Sequence, residues 1–404
     1  MRGDLCGLTV ESGGQRPGVG ARLELSLLAG PVATLISSIA LARMLGPDGR
    51  GVVASYMLWA QILAWWVSLS ADKGFINVSQ RLTDQARSEV WRSTIWLMRR
   101  LLAACGLVGL LFALFEFADP LLRAAFVAST LSTLVFEFVT AWLLAAGRWG
   151  LYSNLRVLQP LVYSGSVVVA YMLPLALPKS NLILLVGLAH VTSLGIAVVG
   201  TALVARIPLL VKGRGSPVKP ILRFGLAYQL TSLSSQIANR GDLLMLSILA
   251  SNATVGVYSV ATAPSAALVT LASAGAIRGL TRTDQRWRVY VIWLALGSVG
   301  VAAVTPVLIP ILFGNDFRAS VLPAVIITAS VALAYPAQRM AVRLATDGRV
   351  IASSIGFVFQ FGAVLLFVAF SQTAMAAALG VTLGRVLCVG FLTYASSRTK
   401  RRGG

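Results

Sequence analysis

The chain has 404 residues, of which 57% are hydrophobic and only 12% charged, with a mean hydropathy of +0.81. A soluble domain carries about 25% charged residues, so a water-facing globule is excluded. The formal net charge of +20 does not indicate a nucleic-acid partner, because the basic residues are distributed over alternate loops rather than gathered in one patch.

In chain order, the first 20 residues, MRGDLCGLTVESGGQRPGVG, are polar and Gly-rich and have no apolar core. They are expected to form a disordered cytoplasmic tail rather than a signal peptide. Apolar runs of about 20 residues, enough to cross a ~30 Å hydrocarbon slab as helix, then recur to the end. Twelve spans are predicted, over roughly 23–45, 51–72, 95–117, 121–146, 153–174, 181–205, 221–249, 253–277, 288–313, 319–342, 351–370 and 373–396. The fold class is therefore an all-α integral membrane protein. Cys6 lies in the leader and Cys105 and Cys388 in apolar runs, a spacing that suggests neither a metal site nor a disulfide framework.

Between the first two spans stands GPDGRG, Gly46 to Gly51. A phosphate-cradling glycine loop needs a preceding strand and a following soluble helix, and neither is present. Pro47 fixes its own φ, Asp48 bonds nearby backbone, and Gly49 and Gly51 tolerate positive φ, so the segment reads as a tight turn between antiparallel helices.

Lys and Arg set the expected orientation. With both termini cytoplasmic, 27 of the 34 fall on the inside and five on the outside, leaving Arg240 and Arg385 within spans. The sequence also repeats. Gly51-Val52 matches Gly256-Val257 at an offset of 205, and GRWGLYSNLRVLQ from Gly147 matches GRVIASSIGFVFQ from Gly348 at an offset of 201. These offsets predict two six-helix lobes related by an axis along the membrane normal. The expected organisation is a tail (1–20), an N-terminal lobe (21–206), a cytoplasmic linker (207–219), a C-terminal lobe (220–397) and a basic cytoplasmic tail (398–404).

Polar groups at bilayer depth need water or a partner. Gly30-Pro31 in the first span and Pro264 in the eighth are candidate helix-bending positions, with a static kink as the alternative. Glu137 in the fourth span is a candidate proton carrier or half of a static ion pair. His190 in the sixth span is expected to make a structural hydrogen bond to a neighbouring helix. The seventh span, QLTSLSSQIANRGD from Gln229 to Asp242, is the most informative. At 100° per residue Gln229, Gln236 and Arg240 share a stripe with Asn239 beside it, and about half the circumference is polar. This helix is expected to line a hydrated central cavity. Arg240 would be a fixed positive charge there, and Asp242 would hold a helix of the other lobe or bind a coupling cation. Arg385, mid-span in the twelfth helix, is the second candidate cavity cation.

Three stretches carry a family resemblance. LARMLGPDGRGVVASYMLWAQIL resembles the first-to-second-helix signature of the polysaccharide-export flippases, the O-antigen and lipid-linked oligosaccharide flippases of the superfamily that includes the MATE multidrug exporters. NRGDLLMLSILASNATVGVYSVATA, Asn239 to Ala263, resembles the seventh-to-eighth-helix signature, with Asp242, Gly256, Tyr258, Ser259 and Ala261 at the matching places. ILFGNDFRASVLPAVI, Ile311 to Ile326, resembles the ninth-to-tenth turn, and the likeness runs from about 23 to 397. Gly241-Asp242-Leu243 departs from relatives that carry a second basic residue after the Asp.

The resemblance implies a MATE-like pair of six-helix lobes around a central cavity, with helices that bend during transport. It implies a flippase of the bacterial plasma (inner) membrane, moving a polyprenyl-diphosphate-linked oligosaccharide outward for cell-surface polysaccharide biosynthesis. Arg240 and Arg385 would offset the diphosphate, while Gln229, Gln236 and Asn239 would bond sugar hydroxyls. No cofactor is expected. Coupling would be to H+, Na+ or the membrane potential, with Glu137 and Asp242 as ion-coupling candidates. Membrane lipids, and a polysaccharide polymerase with its assembly proteins, are the expected partners. The alternatives are an ion-coupled MATE-type drug exporter and, in another class, a membrane-embedded glycan polymerase or glycosyltransferase. The short outer loops, which offer no catalytic platform, argue against an enzyme.

Overall fold

The computed structural model describes residues 19–79, 82–173, 178–207, 218–281, 287–346 and 349–400. Most of the expected tail and linker, and Gly348, lie outside the described residues. The helices are α1 (Val19–Ser68), α2 (Ala71–Ser79), α3 (Asp84–Glu116), α4 (Pro120–Ala145), α5 (Trp149–Met172), α6 (Lys179–Ala205) and α7 (Val218–Leu249). They continue as α8 (Asn252–Thr281), α9 (Trp287–Phe313), α10 (Val321–Ser330), α11 (Ala334–Thr346), α12 (Val350–Ser371) and α13 (Ala374–Lys400). Two 3₁₀ turns, Asn315–Ser320 and Val331–Leu333, flank α10.

Among the described residues ten helical segments are long and apolar enough to cross a membrane. One of them, Ala29–Ser68, is 40 residues long and holds two spans. The helical path breaks inside it at Gly46, with φ 68 and ψ −175, and resumes at Pro47. Only glycine adopts that backbone without strain, and proline in a first turn gives up an N–H that has no helical acceptor there. α7 has 32 residues, ample for a crossing, but is too polar to be among the ten. Dividing α1 and adding α7 gives twelve spans.

Two interruptions carry no glycine or proline signal. The chain leaves α1 through Leu69 and Ser70, both left-handed at φ 51 and 49, and re-enters helix as α2. The tenth crossing is interrupted by the 3₁₀ turn Val331–Leu333 between α10 and α11. The helices run unbroken through Pro31 and Pro264.

The chain forms two compact units. One contains residues up to Val52 and from Leu233 onward; the other is Val53–Ser232. The division falls within α1 and α7. The core of the second unit centres on Phe75, Trp91, Leu134, Phe138 and Leu143, with the Phe75 and Trp91 rings 5.1 Å apart. In the first unit Ala238, Leu344, Phe357, Cys388 and Leu392 form a core joining α7, α11, α12 and α13. Outward faces are apolar, as at Leu107, Leu111 and Leu114 on α3 or Val299, Val307 and Ile311 on α9. Phe115 is 92% exposed and Phe370 85%, a coat suited to hydrocarbon and unsuited to water.

Candidate functional site

The polar groups gather on α7 and in one network within each unit. On α7, Gln229 is buried, Gln236 half-buried, Asn239 and Arg240 exposed, and Asp242 buried. Arg240 stands 22 residues from Val218 and nine from Leu249, about 33 Å and about 13 Å along the axis at 1.5 Å per residue. An exposed guanidinium at that depth meets water or a polar partner, since hydrocarbon contact costs several kcal/mol.

Gln229 differs from expectation. Its side-chain carbonyl accepts from Ser70 Oγ, and its Nε2 donates to the Trp65 carbonyl at 3.2 Å. Trp65 and Ser70 flank the break between α1 and α2, so Gln229 ties α7 to that break, and both ends of its amide are engaged.

In the unit containing the later part of α7, Asp242 accepts from Tyr258 Oη on α8 and, through Oδ1, from the Leu243 N–H at 2.8 Å. Arg385 Nη1 on α13 donates to the Ile327 carbonyl at 3.2 Å and to Ser330 Oγ on α10. The Arg385 charge also acts on Tyr258 and Asp242. Two sequence candidates, Asp242 and Arg385, thus belong to one arrangement spanning α7, α8, α10 and α13. Tyr258 and Ser330 are the members that sequence reasoning did not single out for this role. Tyr258 stands in the quoted helix signature, 16 positions after Asp242.

In the other unit, Glu137 on α4 takes a basic partner. Arg156 Nη2 on α5 lies 3.1 Å from Glu137 Oε2, with side chains 34% and 13% exposed. The Trp65 indole also bonds Glu137, and Lys73 acts on it electrostatically. Lys73 is paired with Asp72 on α2 at 2.7 Å. Arg156 reads in sequence as an inner-loop charge, yet a signal was present. Glu137 is eight residues before the end of α4 and Arg156 seven after the start of α5, equal depths on a tight hairpin.

His190 does not make the expected side-chain bond. Its Nε2 is buried without a hydrogen-bond partner, and the ring packs edge-on to Tyr163 at 5.8 Å. Pro31 and Pro264 join neither network; Thr34 Oγ1 donates back to the Gly30 carbonyl at 3.0 Å beside Pro31.

Twelve spans, broken crossings and charged groups held at bilayer depth define a multi-pass membrane protein with a transporter fold. The structure is similar to an inward-facing MATE family transporter of the MOP superfamily, with a TM-score of 0.68, 15% identity, and coverage of 94% of this chain and 98% of that one. It is also similar to the lipid II flippase MurJ in an inward closed conformation, with a TM-score of 0.71, 9% identity, and coverage of 93% and 87%. No curated protein matches the sequence. Residues 40–275 match the family described as polysaccharide biosynthesis protein, and the chain belongs to that family.

Proposed function

We propose that the protein is a flippase that carries a polyprenyl-diphosphate-linked oligosaccharide from the inner to the outer leaflet by alternating access. The observation that carries this reading is the exposure of Asn239 and Arg240 deep in α7, a helix too polar for lipid. Membership of the polysaccharide biosynthesis family supports the glycan cargo.

In this mechanism the lipid tail stays in the bilayer while the diphosphate and glycan cross a wet passage. Arg240 and Arg385 offset the diphosphate charge, and Gln236 and Asn239 bond sugar hydroxyls. Gln229, already bonded to Ser70 and Trp65, shapes the wall rather than touching sugar. The protein acts as a transporter and not an enzyme. It sits in the bacterial inner membrane with both termini cytoplasmic, as its Lys and Arg distribution favours. A gradient of H+ or Na+, or the membrane potential, drives it, with Glu137 and Asp242 as the coupling carboxylates. A cationic-drug exporter would favour an acidic passage, whereas the exposed charge deep in α7 is the Arg240 guanidinium.

Complementation of a deletion strain tests the reading. Arg240→Ala should insert normally and leave the surface without glycan. Normal glycan export by that variant would refute the assigned role.

A further inference from the structure

The helix α3 carries its basic residues on the face that it turns to the bilayer. At 100° per residue, Arg92, Trp96, Arg99 and Arg100 fall within an arc of about 100°, and Leu107, Leu110 and Leu114 continue the same arc. The three leucines are exposed, as lipid-facing side chains are. Arg92, Arg99 and Arg100 are exposed as well, and Trp96 is half-buried. The Arg100 guanidinium lies over the Trp96 ring, 3.8 Å from its centroid. Glu89 shares the arc three residues before Arg92, on the side away from the leucines, and no acidic residue follows it until Glu116 at the helix end.

Depth gives this arrangement its meaning. Between Arg100 and Glu116 the helix is uncharged, a rise of only about 24 Å at 1.5 Å per residue. A hydrocarbon core is ~30 Å thick. With Glu116 at the outer edge, the backbone of Arg99 and Arg100 lies within the inner edge, and their stems reach back to the headgroups. The anions at that level are lipid phosphates, whose oxygens match the planar fork of a guanidinium. Trp96, one turn before Arg100, stands where indole rings gather at a membrane interface.

The second half of the chain lacks the arginine pair. Thr83-Asp84-Gln85 recurs as Thr283-Asp284-Gln285, an offset of 200, and the helix that follows, α9, opens with Trp287-Arg288 and holds Trp293. From Val289 to Phe313 it runs 25 residues without a charge, enough to cross unaided. Orientation by basic loops needs nothing more than that. The arginines of α3 lie past the loop, on the lipid-facing arc.

We infer that Arg92, Trp96, Arg99 and Arg100 form a binding site for an anionic phospholipid of the inner leaflet. Arg99 and Arg100 take its phosphate, and Trp96 orients the plane of Arg100. Arg92, about 10 Å nearer the cytoplasm along the axis, draws the negative headgroup. The acyl chains lie along Leu107, Leu110 and Leu114. A zwitterionic lipid offers the same phosphate with a cation beside it, which three arginines disfavour. The inner leaflet follows from the orientation that the Lys and Arg distribution favours. The site does not depend on the cargo assignment.

The test is native mass spectrometry of the purified protein with phosphatidylglycerol and phosphatidylcholine of matched acyl chains. The native protein should retain phosphatidylglycerol several-fold more than phosphatidylcholine. Arg92→Gln/Arg99→Gln/Arg100→Gln should lose that preference, whereas the corresponding triple Lys variant, which keeps the charge, should retain part of it. Arg318→Gln, an exposed arginine on the 3₁₀ turn after α9, should behave as the native protein. Equal retention of the two lipids by the native protein, or an undiminished preference in the triple Gln variant, would overturn the site.

If the triple variants do not insert, a phosphatidylglycerol with a photoreactive headgroup tests the native protein. Its cross-links should map to residues 92–100 several-fold more than to 287–293, and equal labelling of the two segments would overturn the inference. Displacement of bound phosphatidylglycerol by an equal concentration of polyprenyl diphosphate would make the site a loading point for cargo and overturn its assignment to a resident lipid. Binding is read without transport. A protein that retains the lipid and moves no glycan would uphold this inference and defeat the flippase reading.

Discussion

Arg148 and Arg349 stand 201 positions apart and make the same bond: Arg148 Nη1 donates to the Ala205 carbonyl at 2.9 Å, and Arg349 Nη1 donates to the Ala395 carbonyl at 2.8 Å. Each Arg immediately precedes a span and reaches the next helix, α6 or α13, near its end. At Ala205, the last residue of α6, the bond satisfies a carbonyl that lacks a helical partner, and in both helices it places a cation near the negative end of the dipole. A repeat visible as scattered identities therefore has a physical counterpart in each unit.

Removing either guanidinium should have a similar effect. Arg148→Ala and Arg349→Ala are each expected to destabilise by about 1.5–3 kcal/mol, the range for hydrogen bonds to charged groups. Thermal unfolding in detergent would measure this. A large loss for one and none for the other would show that the two bonds are not equivalent.

The Glu137–Arg156 pair separates the two readings of Glu137. Glu137→Gln leaves the partly exposed Arg156 without its anion and should destabilise by about 1–3 kcal/mol, whereas Glu137→Gln/Arg156→Gln should recover most of that. Stability and glycan export should be measured together. Recovery of stability without export is the outcome expected of a carboxylate that exchanges ions during transport. Recovery of both would mark the pair as structural.

Tyr258→Phe removes the hydroxyl that Asp242 accepts from while keeping the ring. The buried Oδ2 then loses its donor, while Oδ1 keeps the Leu243 N–H, at an expected cost of about 1–3 kcal/mol. Adding Asp242→Asn to Tyr258→Phe should restore part of the unfolding temperature by removing the charge. No change in the single variant would mean that the bond is dispensable.

Arg385→Lys keeps the charge but loses the planar fork that reaches both Ile327 and Ser330. It is expected to export less than the native protein and more than Arg385→Ala, as read by surface glycan at matched expression. Equal export by Lys and Arg would reduce the role of Arg385 to its charge alone.

Much of the fold was legible because membrane crossing imposes a length on apolar runs, and α3, α6 and α9 follow that rule closely. α7 was legible for the opposite reason: its Gln, Asn, Arg and Asp residues stand where lipid-facing helices have none. The break after Ser68 was not legible. Leu69 and Ser70 are ordinary helix residues, and their left-handed backbone accompanies contacts made far along the chain, by Gln229 and by Gly225. Gln229 illustrates the same limit, since periodicity gives a residue's face but not its partners, here Ser70 and Trp65. Arg156 follows closely on an inner loop, which conceals a depth equal to that of Glu137.

Transbilayer movement of the cargo is the most direct measurement. Purified protein would be reconstituted in liposomes with a polyprenyl-diphosphate-linked oligosaccharide in one leaflet, and its arrival in the other followed under imposed H+ and Na+ gradients. The native protein should speed arrival well above that in empty liposomes, and Arg240→Ala should fall to the empty-liposome rate. Movement no faster with native protein than without it, under any gradient, would contradict the account.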